Sequence, residues 1–83
     1  FRGLAFAYEA GRAGGTLPCT FNAANEVAVA AFLRGEIHFL DIYDIIEQTL
    51  SARPARPVTA LDDLFAEDEA ARRYAVSLLK KGR

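Results

Sequence analysis

Methionine and tryptophan are absent from this 83-residue chain, and cysteine and histidine occur once each. Each shortage excludes something. With Cys19 as the only thiol, no internal disulfide can form, which fits a reducing compartment. With Cys19 and His38 as the only sulfur and imidazole ligands, a tetrahedral zinc set cannot be assembled without carboxylates. No run of about 18 apolar residues exists, so no segment reads as a membrane-spanning helix. The 10 Lys and Arg against 11 Asp and Glu leave a net charge of −1. There is thus no basic surplus to displace counterions from a nucleic acid. The one basic cluster, Lys80-Lys81-Gly82-Arg83, reads as a solvated tail. Methionine is missing even from position 1, from which we expect a piece of a longer polypeptide; the lack of a targeting signal then says nothing.

What is present is apolar and helical. Hydrophobic residues make up 52% of the chain, enough for one modest core. A chain of this size buries only roughly 60% of its unfolded surface. The dominant period is 3.6. In residues 1–12, Phe1, Leu4, Ala5 and Tyr8 share one helical face, and Gly11, Gly14 and Gly15 follow as stop signals. Residues 17–34 form a second helix, with Thr16 or Leu17 as cap and Pro18 in the first turn. Every residue from Val27 to Leu33 is apolar, which marks a helix buried on most sides; Gly35 ends it. Residues 41–52 carry a stripe of Ile42, Ile45, Ile46, Thr49 and Leu50, with Asp41 as N-cap and Leu40 and Ile45 placed for a hydrophobic staple. Pro54 and Pro57 then impose an extended connector. Thr59 caps a brief turn over 60–65. The last helix is expected over 67–81, with Glu67, Asp68 and Glu69 in its first turn and Lys80 and Lys81 in its last, matching the helix dipole. Its buried stripe is Ala71, Tyr74, Ala75, Leu78 and Leu79. The expected architecture is an all-α bundle of about four helices with short connections and one proline-containing linker.

The inventory for chemistry is poor. The acids Asp62-Asp63 and Glu67-Asp68-Glu69 could attract Mg²⁺, but neighbours on a helix point apart, and capping or dipole compensation accounts for them. Asp41, Asp44 and Glu47 read as a solvent face. Cys19 lies in a helix first turn, which can lower a thiol pKa, yet no base is near it in sequence. The run Gly11-Arg-Ala-Gly-Gly15 matches neither phosphate-binding glycine pattern. No catalytic, cofactor-binding or metal-binding residue is therefore assigned. One feature escapes core-and-surface patterning. Asn22, Asn25 and Glu26 fall at i, i+3, i+4 and draw a polar stripe on an apolar helix. Either the stripe faces water and nearby backbone, or it meets another domain whose polar groups complete it. It is the candidate interdomain contact.

The segment Asn22-Ala-Ala-Asn-Glu-Val-Ala-Val-Ala-Ala-Phe-Leu33, preceded by Leu17-Pro18 and followed by Ile37, Phe39 and Asp41-Ile42, resembles the C-terminal domain of the 1-deoxy-D-xylulose 5-phosphate reductoisomerase family. Ala7-Tyr-Glu-Ala10, Leu61-Asp-Asp-Leu64, Asp68, Ala71-Arg72 and the basic end look like that family too, so the resemblance covers essentially all of residues 1–83. It implies one C-terminal helical domain of a multidomain enzyme, with NADPH-binding and catalytic domains upstream. It further implies NADPH-dependent conversion of 1-deoxy-D-xylulose 5-phosphate to 2-C-methyl-D-erythritol 4-phosphate in non-mevalonate isoprenoid biosynthesis. A divalent cation (Mg²⁺ or Mn²⁺), a homodimer, and a cytoplasmic location in a bacterium or a plastid one in a plant or alga are implied as well. The metal, substrate and nucleotide residues of the family map onto no position here, so this piece is expected to be inactive alone, with the catalytic domain as its partner. Two other readings compete: an independent helical interaction module with an apolar groove, and a small stand-alone enzyme that uses Asp62, Asp63 and Glu67 with a metal.

Overall fold

The computed structural model describes residues 2–80 of the chain, and all regular structure among them is helical. Helix α1 spans Arg2–Ala13, α2 Leu17–Leu33, α3 Asp41–Ala52 and α4 Leu61–Leu79. The expectations that fell on Phe1 and Lys81 to Arg83 lie outside the described residues.

Helix α2 is the centre of the bundle, in contact with each of the other three helices. The reason lies in its residue sizes. Its buried positions are Thr20, Ala23, Ala24, Ala28 and Ala31. Side chains this small let neighbouring helix backbones approach closely, since interaxial distance depends on the residues at the contact. Helix α4 answers with Ala71 and Ala75, and α3 fills the remaining space with Ile42, Ile45 and Ile46. Phe6, Phe21 and Phe32 close the core from its margin.

Helix α1 departs from expectation in two ways. Gly11 does not stop it. The helix runs on to Ala13, and the chain turns at Gly14 and Gly15, whose φ values of 69° and 55° are left-handed. The stripe of Leu4, Ala5 and Tyr8 also faces outward: Leu4 is 70% and Tyr8 65% exposed. The other side of the helix packs instead. Ala10 is buried and Phe6 lies on the core, while a Cβ at Gly3 would come within 3.1 Å of the Tyr43 ring. Helix α1 is apolar on both sides, so a single stripe could not tell which side the bundle takes.

At α3 the boundaries agree with the spacing, but the cap does not. Leu40 is the N-cap and is 65% exposed, so no staple forms. Asp41 occupies the first turn, where its Oδ2 accepts the His38 backbone N–H at 2.9 Å. The connector after α3 carries Pro54 and Pro57 in non-helical backbone, as expected.

Helix α4 is one continuous element from Leu61, not a turn followed by a helix at 67. Asp63 is the cause. At N3 its Oδ2 accepts N–H bonds from Thr59 at 2.8 Å and Ala60 at 3.0 Å, and the Thr59 hydroxyl at 2.8 Å. These bonds satisfy the helix start from outside it. No glycine or proline follows before Leu79 to interrupt the ladder. Glu67 is thereby carried from the expected first turn to the middle of the helix.

Candidate functional site

The densest polar arrangement is built around Glu67, which is 1% exposed. Helix α4 aims it inward because position 67 lies on the same face as Ala71, Ala75 and Leu78. Arg53, at the end of α3, grips it with two parallel bonds: Nε to Oε2 at 2.8 Å and an η-nitrogen to Oε1 at 2.9 Å. Arg56, in the connector, adds a bond to Oε1 at 2.6 Å. The Thr20 hydroxyl, from α2, donates to Oε2 at 2.7 Å. One carboxylate thus ties together α2, the end of α3, the connector and α4.

The connector is fastened a second time. The Arg56 N–H donates to the Thr16 hydroxyl at 3.0 Å, and the Thr16 N–H donates back to the Arg56 carbonyl at 2.9 Å. Thr16 therefore spends its hydroxyl on the connector and does not cap α2. Gly15 permits this approach: a Cβ there would collide with the Arg56 carbonyl oxygen.

Burial disfavours the charged form of Glu67, but the bonds from Arg53 and Thr20 and the charges of Arg53 and Arg56 outweigh it. The carboxyl is held below the usual glutamate range. It is an ionised structural anchor, unsuited to proton transfer near neutrality. Asp63 is likewise lowered, first by the Thr59 bonds and then by Ala60. Burial pushes the Cys19 thiol up, and Asp68 and Glu67 push the same way against Arg72. Its Sγ donates to the Leu64 carbonyl at 3.4 Å. Cys19 is a protonated, partly covered thiol; its place at a helix start does not activate it.

The metal alternative needed Asp62, Asp63 and Glu67 to converge. Asp63 is committed to the α4 start and Glu67 to two guanidiniums. Among the described residues, no three of His, Cys, Asp and Glu are arranged to hold an ion.

Asn22, Asn25 and Glu26 lie together on α2. Asn22 and Glu26 are exposed, and the Asn22 amide donates to Glu26 Oε2 at 3.3 Å. Glu26 Oε1 in turn accepts from Arg72 of α4 at 2.8 Å, and Arg72 holds Asp68 at 2.9 Å. Of these, Glu26 and Arg72 line a groove of about 610 Å³ between α2 and α4, together with Val27, Ala30, Val76 and Leu79. Asn25 is half-buried, and its side chain makes no hydrogen bond among the described residues.

The spacing-based reading names Thr16 as a cap candidate, and it holds the N-cap position of α2, but that reading does not anticipate the tie of Thr20, Arg53 and Arg56 to Glu67, which it takes for a first-turn acid. A signal for Glu67 existed: it continues the Ala71–Ala75–Leu78 stripe one turn earlier. The two arginines carried none, since only the fold brings the connector against α4.

Comparison with known proteins places this arrangement. The family model described as DXP reductoisomerase C-terminal domain matches residues 1–74. The chain is 52% identical over 79 residues to the 1-deoxy-D-xylulose 5-phosphate reductoisomerase of Bacteroides thetaiotaomicron, covering 95% of this chain and 20% of that protein. It is 49% identical over 79 residues to the Bacillus subtilis protein of the same description, with 95% and 21% covered. Among solved structures, it superposes with a TM-score of 0.87 on the 1-deoxy-D-xylulose 5-phosphate reductoisomerase from Zymomonas mobilis in complex with NADPH. The two are 45% identical, and 94% of this chain and 21% of that one are covered. The chain spans about one fifth of the length of these relatives.

Proposed function

The chain belongs to the DXP reductoisomerase C-terminal domain family, and from that premise we propose that it is the helical C-terminal domain of an enzyme that converts 1-deoxy-D-xylulose 5-phosphate to 2-C-methyl-D-erythritol 4-phosphate with NADPH. The observation that carries this is the overlap: nearly all of the chain matches one fifth of reductoisomerases at about half identity. In this reading the domain performs no chemistry. It buttresses the catalytic domain of a homodimeric, cytoplasmic enzyme that uses a divalent cation.

The side chains here do not fit NADPH or a metal. Gly14 and Gly15 form a helix-to-helix turn with Gly15 against the Arg56 carbonyl, not a cradle, and Asp63 and Glu67 are committed to a helix start and to two arginines. The stripe of Asn22, Asn25 and Glu26 is assigned to contact with the rest of the enzyme. Support comes from its place: three polar side chains share one face of the otherwise apolar central helix, with Asn22 and Glu26 exposed and Asn25 partly so.

Calorimetric titration of the 83-residue chain with NADPH, with and without Mg²⁺, tests the reading. No binding heat is expected, whereas the full-length enzyme that contains the chain should bind NADPH and oxidise it in the presence of substrate. Specific saturable binding to the chain alone would refute the assignment.

A further inference from the structure

The outer face of α1 is built to be covered. Leu4, Tyr8 and Gly11 recur at i, i+4, i+7, so they form one stripe along the helix. Leu4 and Tyr8 are each about two-thirds exposed. The opposite side, through Phe6 and Ala10, already packs on the bundle. A helix apolar on two sides is a helix buried on two sides.

Gly11 gives an independent indication. Glycine inside a helix destabilises it relative to alanine, so it needs a reason to be there. Its backbone is not left-handed, and a Cβ added to it would meet nothing within 4 Å. Neither a turn nor packing within the bundle requires it. Close approach of another backbone would. Beside the stripe, the Arg12 guanidinium lies 5.9 Å over the Tyr8 ring and has no carboxylate among the described residues.

We propose that this Leu4–Tyr8–Gly11 face seats the remaining polypeptide of the parent reductoisomerase, which brings an apolar surface with backbone close to Gly11 and a carboxylate toward Arg12. The proposal rests on the reading of the chain as the helical domain of such an enzyme. The relatives say what is available to cover the face. Each is matched over about one fifth of its length, so about four fifths of its polypeptide lies outside the matched segment. This surface is distinct from the Asn22–Glu26 stripe, which belongs to α2.

Hydroxyl-radical footprinting of the 83-residue chain and of the full-length enzyme that contains it reads Tyr8 directly. Tyr8 should be oxidised severalfold more slowly in the full-length enzyme, while the half-buried Tyr74 changes little. Equal labelling of Tyr8 in both overturns the proposal. A Gly11→Leu substitution should leave the thermal midpoint of the isolated chain unchanged or raised, because the new side chain enters open space, and should lower that of the full-length enzyme by several degrees. Equal loss in both counts against it. Sedimentation of the isolated chain at the labelling concentration covers the remaining occupant: a dimer that protects Tyr8 gives the face to a second copy and overturns the proposal. A reductoisomerase assay on the same full-length preparation keeps the two readings apart. Tyr8 protected without activity refutes the functional assignment and leaves the docking face standing; activity with Tyr8 fully labelled does the reverse.

Discussion

At the scale of single residues, Glu67 bears the largest consequence. A buried ion pair adds little over an apolar substitute, but removing one member strands the other. Glu67→Ala would leave the Arg53 and Arg56 guanidiniums without their shared acceptor, while the Thr20 hydroxyl would keep the Thr16 carbonyl. It should cost about 1–3 kcal/mol, less than for a fully buried pair because both arginines reach water, read from urea denaturation. The linkage to pH has a definite sign. The folded-state pKa of Glu67 lies below the unfolded one, so its stabilisation is complete above the ordinary glutamate value of about 4.3. It is lost as pH falls from there through the folded value. The difference in stability between the native chain and Glu67→Gln should therefore shrink across that acid window; parallel curves would show that the carboxylate is not the anchor. Asn25 makes the opposite kind of prediction. Asn25→Leu should leave the melting of the isolated bundle little changed, since no internal bond is lost, yet weaken the full-length enzyme. Equal destabilisation in both would remove its interdomain role. Glu67 was readable in part, because it extends a buried stripe. It was obscured by Asp68 and Glu69, which make the run look like the acidic first turn of a helix.

For whole elements, start and stop signals were a good guide: Pro18 and Gly35 bracket α2, which is apolar nearly all round, and Asp41 and Pro54 bracket the one-sided α3. Helices α2 and α3 begin and end within a residue of the spacing-based bounds, and the two connector prolines mark non-helical chain. The period misled where it was ambiguous. Helix α1 offers two apolar sides, and α4 begins a turn and a half before its acidic run because Asp63 satisfies its first amides. Glycines show the same limit. Gly14 and Gly15 both have positive φ, but only Gly15 lies under the Arg56 carbonyl. Gly15→Ala should cost more than about 1 kcal/mol and loosen the connector, visible as faster exchange of the Arg56 amide. Gly14→Ala carries the backbone strain alone and should be the milder change. Equal effects would mean that the close approach is not what selects glycine at position 15.

Across the whole molecule, a bundle 38 × 25 × 18 Å in extent is held by two kinds of contact with different ranges along the chain. The helices and their turns are local. The polar ties are not: Thr16 to Arg56 spans 40 residues, and Thr20 to Glu67 spans 47. Such closures must follow the docking of what lies between them, because loop entropy is lost before the contact repays it. Thr16→Val, which removes the acceptor for the Arg56 N–H and keeps the shape, should cost about 1–3 kcal/mol. By this ordering, the loss should appear almost wholly as faster unfolding, with the refolding rate hardly changed. Stopped-flow chevrons would show it, and a matching drop in the refolding rate would place the tie early instead. The fastened connector thus sets the lifetime of the closed bundle more than the speed of its formation, acting as a brake on opening for a domain whose core is made largely of alanine.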